Sequence, residues 1–149
     1  MDSYRGTASR RPRGQSVRRP FDVACSSASS CTAVGTADGS GLLVTGSGTS
    51  WVATEAPGNN GNALLASVAC PSSSLSCVAA GYYGDLNVAE PLLVTGSGTT
   101  WTGVDVPLPV DANPGIGLEA AVCGSPLSCV AVGFYDFPDS EGLLLTGPG

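Results

Sequence analysis

The stretch LLVTGSGTSW occupies residues 42–51, and LLVTGSGTTW occupies residues 92–101. They differ at one position in ten, Ser50 against Thr100. A third copy begins as LLLTGPG at 143–149. Leu42 and Leu92 are 50 residues apart, and Leu92 and Leu143 are 51 apart. A fixed period of this length marks a repeat architecture. The same period runs upstream of each copy. Cys25 and Cys31 enclose CSSASSC, Cys70 and Cys77 enclose CPSSSLSC, and Cys123 and Cys129 enclose CGSPLSC. After each pair comes a small apolar run ending in Gly35, Gly81 or Gly133.

Each unit reads as strands. DVAC, CTAVGTA, GLLVTGS and SWVATEA are short, rich in Val, Leu and Thr, and bounded by Gly, Ser, Asn or Pro. No window carries a helical period with caps. The second unit gives four matching segments and the third gives three, so eleven strands are expected. Four short antiparallel strands per repeat is the pattern of a β-propeller blade. The expected fold is therefore all-β, with about three propeller-type blades, two complete and one cut short, near 21–57, 64–107 and 118–149. APGNNGNA (56–63) and PLPVDANPGIG (107–117) become the connections between blades. Propellers typically close with four to eight blades. An open array, a piece of a larger propeller, or self-association through open blade edges into a six-bladed ring is therefore expected.

The turn between third and fourth strands resembles the Asp-box of sialidase-type and photosystem-assembly-factor-type propellers. Gly48, Ser50 and Trp51 match that motif, as do Gly98, Thr100 and Trp101. The Asp position holds Gly46 and Gly96, and the first position holds Val44 and Val94. Residues 21–149 are also similar to the Cys-paired repeats of about 50 residues in secreted or surface proteins of actinobacteria. Both tryptophans are expected to open a fourth strand from equivalent, largely buried positions. The sialidase resemblance implies an arginine cluster for a substrate carboxylate, and residues 21–149 hold no arginine, so that activity is not carried over.

Charged residues make up 12% of the chain, against roughly 25% in an average globular protein. All six arginines lie in the first 19 residues beside a single acid, and the remaining eleven acids follow. Residues 1–20 are nearly without apolar side chains and read as a basic, disordered tail. No aromatic residues stand among the tail's arginine clusters, and the body is acidic, so no nucleic-acid partner is expected. RRPF (18–21) has the look of a twin-arginine export signal, but no apolar run follows it. No run of about 18 apolar residues is present to span a membrane.

The cysteine spacing leaves five, six and five residues inside the pairs. Zinc sites favour two to four, and no Cys-x-x-Cys redox motif occurs. The reading is one disulfide per blade, joining first strand to second and contributing roughly 2 kcal/mol each by loop closure. Three such bonds place the chain in an oxidising, extracellular or cell-surface setting. The absence of a signal peptide in this chain is read as a lost or misassigned start.

Histidine and lysine are absent, which excludes Ser-His-Asp, Cys-His, Ser-Lys and Schiff-base chemistry. No cofactor or metal is expected. Acids and aromatics gather in the loops between second and third strands: Tyr82, Tyr83, Asp85 and Glu90, then Tyr135, Asp136, Asp139 and Glu141. Such a face suits an unknown carbohydrate or protein ligand. Its alternatives are a carboxylate glycoside hydrolase and a Ca²⁺-binding face, and the aromatics could equally be buried strand ends. The function expected from the sequence is a non-catalytic extracellular or surface binding or scaffold repeat module. The first prediction is the pairing Cys25–Cys31, Cys70–Cys77 and Cys123–Cys129. Peptide mapping under non-reducing conditions should return only these three linkages, and a peptide joining two repeats would refute it.

Overall fold

The computed structural model describes residues 18–57, 62–72, 76–84, 88–110, 115–136 and 140–148. All regular structure among them is strand, in three antiparallel sheets. The first sheet contains β1 (Arg18–Ser27), β2 (Ser30–Ala37), β3 (Ser40–Ser47) and β4 (Ser50–Glu55). The second contains β5 (Leu64–Ala69), β6 (Cys77–Tyr83), β7 (Glu90–Ser97) and β8 (Thr100–Val104). The third contains β9 (Gly117–Ser125), β10 (Ser128–Asp136) and β11 (Ser140–Gly147). Strands follow one another in chain order within each sheet, and the sheets form an open array of blades. β1 begins at Arg18, inside the segment assigned to the tail: Arg18, Arg19 and Pro20 pair with Ala37, Thr36 and Gly35.

The turns follow from their residues. Asp38 and Gly39 both take positive φ, 50° and 84°, as a type I′ hairpin requires. Gly48 and Gly98 take φ of 56° and 58° at the first central position of the β3–β4 and β7–β8 turns, which only glycine does without strain. Each tryptophan indole then donates to the carbonyl of the turn glycine three residues back, at 3.0 Å from Trp51 to Gly48 and 3.0 Å from Trp101 to Gly98. Gly46 and Gly96 are required on steric grounds. A Cβ on Gly46 or Gly96 would stand 2.1 or 2.2 Å from the carbonyl oxygen of Ser50 or Thr100, so no side chain fits there.

Stacking of the sheets uses alternate faces of each strand. Val34 and Leu43 of the first sheet share a core with Leu65, Ala79, Val94 and Trp101 of the second. The opposite face of the second sheet sends Ala80 and Leu93 into a core with Leu118, Ala131 and Leu143 of the third. The two tryptophans are therefore not equivalent in burial. Trp101 is 9% exposed, against the first sheet, whereas Trp51 is 42% exposed. By the repeat, Trp51 faces away from the second sheet, so among the described residues its ring lacks the neighbour that covers Trp101.

This asymmetry gives a measurable outcome. Trp101→Ala should cost about 3–5 kcal/mol, the range for a buried large aromatic. Trp51→Ala should cost at most about 1 kcal/mol. Urea unfolding followed by circular dichroism separates the two, and equal losses would contradict the packing described.

Candidate functional site

The acid–aromatic face begins where β6 ends and β7 starts. Tyr83 stands opposite Glu90, and in the third sheet Tyr135 stands opposite Glu141. These are the same positions of the repeat, and each tyrosine hydroxyl donates to the facing carboxylate Oε2. The first sheet has Ala37 opposite Ser40 at that place and no such pair. The pairs are cross-strand clamps at the base of the loops. For Tyr83 the hydrogen bond to Glu90 holds the phenol above its ordinary value near 10, with burial and the Glu90 charge acting in the same direction.

The two neighbouring tyrosines of the second sheet open onto different cavities. Tyr82 is half-buried and lines a cavity of about 420 Å³ with Phe134, Ile116 and Glu119. Tyr83 and Glu90 line a separate cavity of about 490 Å³ with Pro57, Val104 and Leu108. Tyr135 is buried in the core between second and third sheets, as a strand end covered by its neighbour. Asp85 and Asp139 lie outside the described residues, as does the side chain of Asp136. Among the described residues, no three acids or cysteines gather where they could hold a metal ion. No helix among them is long and apolar enough to cross a membrane.

All six cysteines are paired within their own repeat: Cys25–Cys31, Cys70–Cys77 and Cys123–Cys129. Their Cα atoms are 3.9, 4.3 and 4.0 Å apart. Cys25 and Cys123 lie directly opposite their partners in the strand register. The three bonds fit an oxidising environment.

Sequence reasoning passed over Asp22 and Ser67, which join the sheets. Both sit at a register shift in the first strand of their sheet, between Pro20 and Asp22 and between Leu65 and Ser67. Asp22 Oδ2 accepts the Val68 amide at 2.9 Å and the Ser67 hydroxyl at 3.0 Å. Ser67 Oγ in turn accepts the Ala121 amide at 3.1 Å. Val68 and Ala121 occupy the same place in successive repeats, two residues before a cysteine. One hydrogen-bonded chain thus runs through the first strands of all three sheets. A usable signal was present: a polar residue stands directly before Val23 and Val68 in otherwise apolar runs.

No protein-family model, no curated protein and no solved structure matches this chain.

Two outcomes follow from this geometry. Ser67→Ala leaves the Ala121 amide without its acceptor and should destabilise the chain by about 1–3 kcal/mol, as read by chemical denaturation. The second concerns Tyr83. Its folded pKa lies above the unfolded value near 10, so its contribution to stability is fully present below that pH. The contribution is lost as pH rises through the folded value. Ultraviolet titration should show a late-ionising tyrosine that Glu90→Ala returns toward the ordinary range. An unchanged titration curve in that variant would show that Glu90 does not hold the phenol.

Proposed function

We propose that this chain is a non-catalytic binding or scaffold module of the propeller type, working outside the cell or on its surface. The observation that carries the reading is the pairing of Glu90 with Tyr83 and of Glu141 with Tyr135. A glycosidase needs two carboxyl groups facing one substrate bond. Here each of these acids is engaged by a tyrosine on its own sheet, so the loop bases act as braces. The half-buried rings of Tyr82 and Tyr83 leave apolar area beside polar groups at two cavities, the composition that carbohydrate and protein ligands use. The three disulfides support an oxidising location.

A glycan and peptide array, run beside an aryl-glycoside turnover assay, tests the proposal. Binding without turnover that Tyr82→Ala or Tyr83→Ala weakens is the expected result. Turnover abolished by Glu90→Gln or Glu141→Gln would overturn the non-catalytic reading. Six free thiols in the protein isolated from its source would overturn the extracellular one.

A further inference from the structure

A further cavity lies beside the tyrosine face without including Tyr82 or Tyr83. It holds about 810 Å³ between the second and third sheets, alongside β11. Among the described residues β11 has β10 on one side and no strand on the other, whereas β3 and β7 are each followed by a paired fourth strand.

The repeat identifies what this space is shaped for. Trp101 shares its core with Leu43, Cys77, Leu92 and Val94. One repeat later, those four positions are Leu93, Cys129, Leu143 and Leu145, and all four line the cavity. The polar contact corresponds as well. Thr45 Oγ1 donates at 3.0 Å to the Gly98 carbonyl, the same oxygen that takes the Trp101 indole hydrogen bond. Its counterpart one repeat later is Thr95, which also lines the cavity. Val104 and Leu108 complete an apolar wall on the outer side. The cavity therefore repeats the lining of the Trp101 site, next to a strand edge that pairs with no other strand among the described residues. An exposed edge of this kind takes up an added strand, with main-chain bonds for affinity and side-chain pockets for selectivity.

We propose that the β11 edge and its cavity bind an extended polypeptide strand of the pattern Ser-Gly-Thr-x-Trp, with the tryptophan seated among Leu93, Leu143 and Leu145. This chain writes that pattern at 47–51 and 97–101, where it pairs antiparallel to β3 and β7. The partner is accordingly a strand from a repeat of the same kind. The cavity shares Leu93, Val104 and Leu108 with the Tyr83 cavity but includes neither Tyr82 nor Tyr83, so the tyrosine variants read that face and the tryptophan-to-alanine peptide reads this site.

The probe is a dye-labelled peptide with the sequence of residues 97–106, SGTTWTGVDV, titrated into the full chain and followed by fluorescence anisotropy. Saturable binding is expected, with a peptide carrying Ala in place of the tryptophan at least about thirtyfold weaker. Amide NMR shifts should fall on Leu143–Gly147 and Thr95. Because the substitution is in the peptide, folding of the chain is untouched. Equal affinity for the two peptides, or no saturation at about millimolar concentration, would overturn the proposal. So would dimers that persist in saturating peptide with shifts on Val122 and Val132, since these would place a second copy on the open face of the third sheet.

Discussion

The array depends on a kink in the first strand of every sheet. At Pro20/Asp22, Leu65/Ser67 and Leu118/Ala120 the ladder slips. The partner strand there carries Gly35, Gly81 or Gly133, where a Cβ would lie 1.9 Å from the carbonyl oxygen of Arg19, Leu64 or Gly117. Only glycine admits the backbone this closely. A bulge re-aims side chains and bends its strand. In the first two sheets the result is that Asp22 and Ser67 reach the amide of the following sheet. The conspicuous glycine of each VAVG-type run is thus the condition for the contact that joins sheet to sheet.

A second bond repeats with the same logic. The Ala63 amide returns to the Gly39 carbonyl at 2.7 Å, and one repeat later the Ile116 amide returns to the Ala89 carbonyl at 3.0 Å. Each connection is therefore pinned to the sheet it has just left before it starts the next. Together with one disulfide per sheet, these bonds constrain a chain of low charge and small side chains, Ala, Gly, Ser and Val, that has few large groups to bury. Leu43, Leu65 and Leu118 are the largest fully buried ones. Part of the remaining apolar area lies on the first and third sheets. Val122 and Leu144 are 64% and 65% exposed on the third sheet, while Leu93, the counterpart of Leu144, packs between sheets. Exposed apolar area gathered on one face marks a contact surface.

The functional chemistry follows from the same economy of residue types. With histidine and lysine absent, carboxylates and tyrosines carry the polar features of the strand ends, and the fold pairs them across adjacent strands. The face expected from sequence becomes two separate cavities with Tyr135 withdrawn into the core. The half-buried rings of Tyr82 and Tyr83 line these two cavities.

Sequence by itself determined the strands, their order, the disulfide partners and the turn positions, because each rests on local spacing: a period near 50, cysteines six or seven apart, and glycine where φ is positive. It also placed Tyr83 and Glu90 near each other, since both flank one short loop. Burial was decided only by the tertiary structure. Trp51 and Trp101 sit in nearly identical decapeptides, yet one ring is covered by a neighbouring sheet and the other is not. The joining role of Asp22 and Ser67 was hidden for the same reason, since their partners lie 46 and 54 residues away. A repeat unit carries the same instructions at every position along the chain. What each copy touches depends on which sheets stand on either side of it, and only the folded array supplies that.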